Sequence, residues 1–364
     1  MLHFSDRQLD WSDELIIQEA AAAAKEEEEG VWDQEAPVGR PWIILSHGDK
    51  GEEAHTYVDM ANGLHHSRPM SDLEDRLRGM KVYGHGCGRM LLMDLEEACD
   101  CVLLDTKSLI FDALPPWKKR ENFVYRCCLL YLPPHPPSSK FTVMVFGVDR
   151  TLSSRGDSNV VAVAVFCGVG DKEWTVFLGG VCVDGVAACQ GKIYAVGSLP
   201  RGTFQFFEIM LQPSYTVKLV HKVDLTNISR LRGCADIRRY LVESCGQLLL
   251  FHTSFAGNPY MNGNANVIVD IKALRIDVKT MKTKVVDDLG DMAFFLSWSD
   301  MNFFGSGGFG LCASKYGFKR NTIYMVNPFD SNLYSYNYRD RNVSITLSCP
   351  QVESCSMHEI VLCH

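Results

Sequence analysis

Four short segments of this chain follow one rule: a Gly or Asn, one variable residue, then three apolar residues. They are Gly88-Arg89-Met90-Leu91-Leu92, Gly191-Lys192-Ile193-Tyr194-Ala195, Gly246-Gln247-Leu248-Leu249-Leu250 and Asn321-Thr322-Ile323-Tyr324-Met325. A second apolar run follows each, at residues 101–104, 204–209, 267–271 and 333–336. Runs of this length, rich in Val, Ile, Tyr, Phe and Leu and bounded by Gly, Asn, Asp and Pro, are strands. The unit starts lie 103, 55 and 75 residues apart. The widest gap has room for two units, with strands expected at residues 143–148, 160–166 and 174–177.

A repeat of strands at this spacing limits the architecture. A small sheet of four strands cannot bury both faces alone, but radial stacking against two neighbours buries both. Each unit then needs a tight turn before its inner apolar strand, and Gly or Asn supplies the positive φ. Two packed β-sandwiches would need no repeat. The expected fold is therefore all-β, a kelch-like β-propeller. Blades take roughly 40–50 residues each, so about 300 residues hold about six. The propeller is expected over residues 41–345, with 346–364 as a C-terminal tail or closing strand.

Residues 1–40 differ in character. They carry eleven acids and three bases, which leaves 33 of each in the rest of the chain. The net charge of −8 therefore belongs to this stretch. A short, acidic, partly helical arm is expected over residues 1–40, with its helix at 12–29. Ser12 is its N-cap, Asp13 and Glu14 suit its dipole, and Gly30 stops it. The glutamates 26–29 oppose the dipole, so the arm is expected to be flexible. The neutral body has no basic footprint for phosphates, so nucleic acid is not an expected partner. No apolar run is long enough to span a bilayer, so no membrane is expected either. Fourteen cysteines lie scattered, mostly within apolar runs. Residues 1–20 hold no apolar stretch of signal-peptide length. A reducing intracellular compartment, cytoplasmic or nuclear, is the expected setting, with the cysteines as small buried hydrophobes.

Six segments in order resemble one known family. They are Gly84-His85-Gly86-Cys87-Gly88-Arg89-Met90-Leu91; Cys101-Val102-Leu103-Leu104-Asp105 with Leu114-Pro115-Pro116; Gly191-Lys192-Ile193-Tyr194-Ala195-Val196; Tyr240-Leu241-Val242-Glu243-Ser244-Cys245-Gly246-Gln247-Leu248-Leu249; Asp288-Leu289-Gly290-Asp291-Met292-Ala293-Phe294-Phe295-Leu296; and Asn321-Thr322-Ile323-Tyr324. Together they resemble the KIB-type β-propeller associated with plant F-box proteins. The resemblance covers about residues 41–340. It implies a protein-interaction surface, often the substrate-reading half of a ubiquitin-ligase adaptor. An F-box is a three-helix module entered by a Leu-Pro pair. Residues 1–40 hold no such pair and room for one helix, which argues against the adaptor role and against a Skp1-type partner.

Catalytic and metal chemistry find little support in the residues. Gly84-x-Gly86-x-Gly88 lacks the Lys-Ser/Thr of a phosphate loop and leads into a strand. The glycines of 305–310 read as a loop on the same grounds. Cys99-x-Cys101 and Cys127-Cys128 lack zinc-site spacing, so no metal or cofactor is expected. His85 and Cys87 share a strand face by alternation, but nothing orients the base. Trp42, Trp174 and Trp298 read as packing residues. The candidate partner-binding loop is 256–264, Gly/Asn-rich, with Tyr260 and Met261 at its tip. The expected function is thus a non-enzymatic protein-interaction propeller. The alternatives are a propeller hydrolase or lyase with its site at the central channel, and an expanded family member with little retained function.

Overall fold

The structure, a computed structural model, describes residues 40–47, 54–60, 65–69, 80–94, 100–105, 108, 110–118, 123–133, 140–149, 161–179, 181–198, 204–211, 216–222, 234–256, 267–297, 307–326, 332–348 and 357–363. The chain divides into two units, Met1–Val38 and Gly39–His364. All the described residues belong to the second. The expected helix at 12–29 lies outside them.

Six sheets account for the described strands. Five use contiguous chain, each strand hydrogen-bonded to its neighbour in space. The first has β4 (Lys81–Gly86), β5 (Arg89–Met93), β6 (Cys101–Asp105) and β7 (Phe111–Ala113). The next has β8 (Phe123–Tyr131), β9 (Thr142–Asp149), β10 (Val161–Gly168) and β11 (Thr175–Gly179). Then come β12 (Cys182–Cys189), β13 (Lys192–Ser198), β14 (Phe204–Met210) and β15 (Thr216–Lys222). The fourth has β16 (Cys234–Ser244), β17 (Gln247–Ala256), β18 (Val267–Ile276) and β19 (Thr283–Val286). The fifth has five strands: β20 (Met292–Ser297), β21 (Gly307–Cys312), β22 (Thr322–Val326), β23 (Asn332–Asn337) and β24 (Asn342–Ser348). Contiguous chain therefore makes five blades, against the expected six or so. The sixth sheet is composite. β25 (Met357–Cys363) pairs antiparallel with β1 (Arg40–His47), and β2 (Ala54–Asp59) and β3 (His65–Pro69) follow outward.

The innermost strands neighbour one another around a ring, β4 with β8, β8 with β12, β12 with β16, β16 with β21, and β25 with β4, while β25 meets the fifth blade at its second strand, β20. That cycle makes the unit a propeller. Apolar side chains fill the seams. Leu91, Leu103, Val143 and Val163 close the seam between the first two blades. Val242, Phe251, Ile271, Phe294 and Ile323 close the one between the fourth and fifth.

The repeat has a simple structural cause. Cys87-Gly88, Gln190-Gly191 and Cys245-Gly246 each have two consecutive positive φ values, the geometry of a two-residue hairpin that follows strand twist. The apolar run after each turn is the second strand of its blade, however, and not the innermost as expected. A second strand has strands on both edges and blades on both faces. It is therefore buried throughout, as Leu91, Leu248 and Leu250 are, and reads as a continuous apolar run.

The fifth blade departs from the others. β20 pairs antiparallel with β21 on its inner side and parallel with β22 on its outer side. A short helix, α1 (Ala313–Tyr316), makes the crossover, with Gly317 left-handed at its end. Residues 307–310, read from sequence as loop, are thus innermost strand. Gly308 and Gly310 are there for space. A Cβ on Gly310 would lie 2.5 Å from the Phe294 ring and 2.7 Å from Ser244 Oγ. Gly310→Ala is expected to cost about 1–3 kcal/mol through overpacking, read as a lowered denaturant midpoint at unchanged slope.

Two tyrosines of this blade lock it to the one before. The Tyr338 hydroxyl accepts from the Ala273 N–H (2.8 Å) and donates to the Val286 carbonyl (2.7 Å). Tyr336 accepts from the Ile271 N–H at 3.3 Å and donates to Asp270 at 3.1 Å. Burial raises both phenols above their ordinary value, Tyr336 to about 12, so both stay protonated and able to donate. Tyr338→Phe would take the hydroxyl from a buried N–H and a half-buried carbonyl. A loss of about 1–3 kcal/mol is expected in equilibrium unfolding.

Candidate functional site

Four innermost strands carry an extra residue that interrupts their pairing with the second strand. It is Tyr83 in β4, Arg126 in β8, Asp184 in β12 and Ala235 in β16. A bulge turns its side chain away from the regular alternation. At three of the four, Tyr83, Arg126 and Asp184, the bulged residue meets a neighbouring blade. The Tyr83 carbonyl accepts from the Tyr125 hydroxyl and, at 3.4 Å, from the Cys128 thiol. Arg126 Nη1 donates to Asp184 Oδ1 at 2.6 Å, and the two side chains are only 12% and 7% exposed. Burial pushes the Asp184 carboxyl up, while Arg126 and then Arg239 pull it down.

Arg239 begins a second polar feature. In register across three strands stand Arg239 of β16, His252 of β17 and Lys272 of β18. Like charges directly opposite one another are unfavourable in a sheet. His252 avoids adding a third charge. Burial, then Arg239 and Lys272, lower its pKa to about 4, and Asp270 opposes them weakly. Asp270 is shared: Arg341 donates to its Oδ1 at 2.6 Å, and Lys272 lies 4.0 Å from its Oδ2. Arg238, on the opposite face of β16, lies over the Phe255 ring with its Cζ 5.6 Å from the centroid.

This arrangement holds charge in place. Arg126, Asp184, Arg239, His252 and Lys272 include no hydroxyl or thiol; elsewhere, Asp291 accepts from the Ser314 hydroxyl and, at 3.4 Å, from the Cys312 thiol. The His85 ring lies edge-on against Phe309. Cys87 sits in the β4–β5 turn with its thiol 3.7 Å from the Leu130 carbonyl, and burial raises its pKa. The sequence had these two on one face; the turn separates them. Gly84–Gly88 forms the end of β4 and its hairpin turn, and β5 follows. Cys101 and Cys128 lie in the apolar seam of the first two blades. Among the described residues, no three His, Cys, Asp or Glu side chains are grouped to hold a metal. Nor is any helix there long and apolar enough to cross a membrane. Trp174 donates to the Pro115 carbonyl at 2.7 Å and packs edge-on against Trp117, so the Leu-Pro-Pro segment and Trp174 join two blades. The side chains of Trp42 and Trp298 lie outside the described residues.

Tyr260 and Met261 also lie outside them. Their flanks do not: β17 ends at Ala256 and β18 begins at Val267. The candidate loop therefore leaves the same end of the blade that carries His252, Ser254, Asp270 and Lys272. The sequence reading missed Arg126, Asp184, Arg239, His252 and Lys272. Their one signal was charge or imidazole inside an otherwise apolar strand, as in Tyr125-Arg126-Cys127 and Phe251-His252-Thr253.

A closed ring of sheets with its inner strands bridged at bulges defines the protein as a β-propeller. The KIB1-4 beta-propeller family model matches residues 60–346, and the chain belongs to that family. No curated protein matches it. Among solved structures it is similar to the WD40 domain of SCAP from fission yeast. The identity is 10% and the TM-score 0.34, over 91% of this chain and 77% of that one. It is also similar to a chain in an S. cerevisiae assembly of Dbp5 bound to Nup159, Gle1, IP6 and ADP. There the identity is 8% and the TM-score 0.33, over 91% and 97% of the two chains. TM-scores this low bear on neither fold nor function.

Proposed function

We propose that this chain is a non-enzymatic protein-interaction propeller, with the composite sheet serving as its sixth blade. The carrying observation is the seating of its buried charges. Arg126 and Asp184 face each other across a blade seam, which rigidifies the ring. Loops on a rigid scaffold are where binding residues gather. The β17–β18 loop, with Tyr260 and Met261, is the partner-reading segment in this proposal. Tyr gives a large contact area at low entropic cost. The partner is a protein; nucleic acid, membrane and cofactor are not part of the reading. The setting is intracellular.

Affinity purification of the full chain from extract of its source organism tests this. A reproducible protein partner, without Skp1-type subunits, is the expected result. Skp1-type subunits in the eluate would instead give the adaptor role. No reproducible partner across replicates would overturn the proposal.

A further inference from the structure

The fifth blade has one strand more than a blade needs. β20, β22, β23 and β24 already make a four-stranded sheet, and β21 lies along the inner edge of β20 as a fifth. Of the residues of β21 only Leu311 is buried, whereas six of the eight residues of β12, another innermost strand, are buried. Three of the six residues of β21 are glycine. Its close fit against Val242, Ser244 and Phe294 is therefore made by backbone at Gly308 and Gly310. Burial stabilises in proportion to apolar area, and here that area comes from few side chains. Phe309, stacked on Phe295 with centroids 5.0 Å apart, and Leu311 are the apolar anchors. Glycine also regains more backbone freedom on release than any other residue. Segments with few buried apolar contacts are the ones that open below the free energy of global unfolding.

The segment is fastened at one side chain. Asp291, just ahead of β20, accepts from the Ser314 hydroxyl, from the Ser314 N–H at 3.2 Å and from the Cys312 thiol at 3.4 Å. Arg320 Nε lies 3.1 Å from the same carboxylate, and the Asp291 carbonyl accepts from the Ala313 N–H at 3.0 Å. These contacts tie the end of β21 and the whole of α1 to the start of β20. Gly307 and Gly317, both with positive φ, bound the tied segment.

We propose that Gly307–Gly317 is a strap that opens as a unit from the inner edge of β20 while the rest of the propeller stays folded, with Asp291 as the clip that holds it shut. Opening bares the N–H and carbonyl groups along β20, an edge open to pairing with an extended segment. The strap stands apart from the partner reading, because a purified chain shows it with no partner present.

Native-state hydrogen exchange of the full chain, followed strand by strand in low urea, tests it. Protection of the β21 amides should be at least about tenfold lower than that of β22 and β23. It should also depend little on urea, as befits an opening that exposes little surface. Asp291→Ala should lower β21 protection by about tenfold more and leave β22 and β23 unchanged. Ser314→Ala, which keeps the carboxylate and Arg320, should give a smaller fall in the same strand. Protection of β21 equal to that of β22 in the unsubstituted chain, or a fall in Asp291→Ala shared equally by all three strands, overturns the strap. If Asp291→Ala folds poorly, the unsubstituted chain and Ser314→Ala decide the question by the same comparison.

Discussion

Arg126→Ala is expected to remove about 3–5 kcal/mol of folding stability. The guanidinium and Asp184 are both nearly buried and 2.6 Å apart. Removing the cation leaves a carboxylate that is 5% exposed and without its ion-pair partner. Burial already pushes that carboxyl up, and Arg126 is the strongest influence holding it down. Its loss should raise the Asp184 pKa further, so the variant should gain relative stability as pH falls toward the carboxylate range. The double variant Arg126→Met, Asp184→Leu removes both charges and fills the space. It should recover most of the loss, because an apolar pair often matches a buried ion pair in stability. A double-mutant cycle in urea measures this. Equal instability of the single and double variants would show that shape rather than charge holds the seam.

Acid should destabilise the protein before its carboxylates titrate. His252 has a pKa of about 4 in the fold against an ordinary 6.5. The unfolded chain therefore binds a proton that the folded chain refuses between these values. Stability contributed by the neutral imidazole is complete above pH 6.5, falls as pH drops through this window, and is gone by about pH 4. The difference corresponds to about 3 kcal/mol. Burial is the largest cause, Arg239 and Lys272 on the neighbouring strands add to it, and Asp270 opposes them without cancelling them. In His252→Leu the fall between pH 6.5 and 4 should shrink by that amount. An unchanged pH profile in the variant would place the acid sensitivity elsewhere.

Much of this fold was legible in the sequence, for physical reasons that also explain what was not. A propeller's second strands are buried on all sides, so Leu91 and Leu248 advertise them as unbroken apolar runs. The turns before them need positive φ, so Gly88, Gly191 and Gly246 mark where they begin. β21 was illegible because crowding between Phe294 and Ser244 demands glycine, and glycines in series read as loop. The crossover that places β20 parallel to β22 depends on tertiary packing and leaves no local pattern. The closing sheet joins β1 to β25 across the whole chain, a pairing that no local window contains. The site was less legible than the fold. Arg126 and Asp184 lie 58 residues apart, and a bulge in each strand aims them at one another. Bulges have no sequence signature here, so their partnership could not be read from spacing.

The central claim is that a rigid propeller presents a binding loop between β17 and β18. The most direct measurement is the affinity of the purified full chain for its recovered partner, set beside that of the Tyr260→Ala, Met261→Ala variant. A truncated hot-spot pair should weaken binding by about tenfold or more, mostly through faster dissociation, with Tm unchanged. Equal affinity of the two proteins for that partner would contradict the account and move the binding surface off this loop.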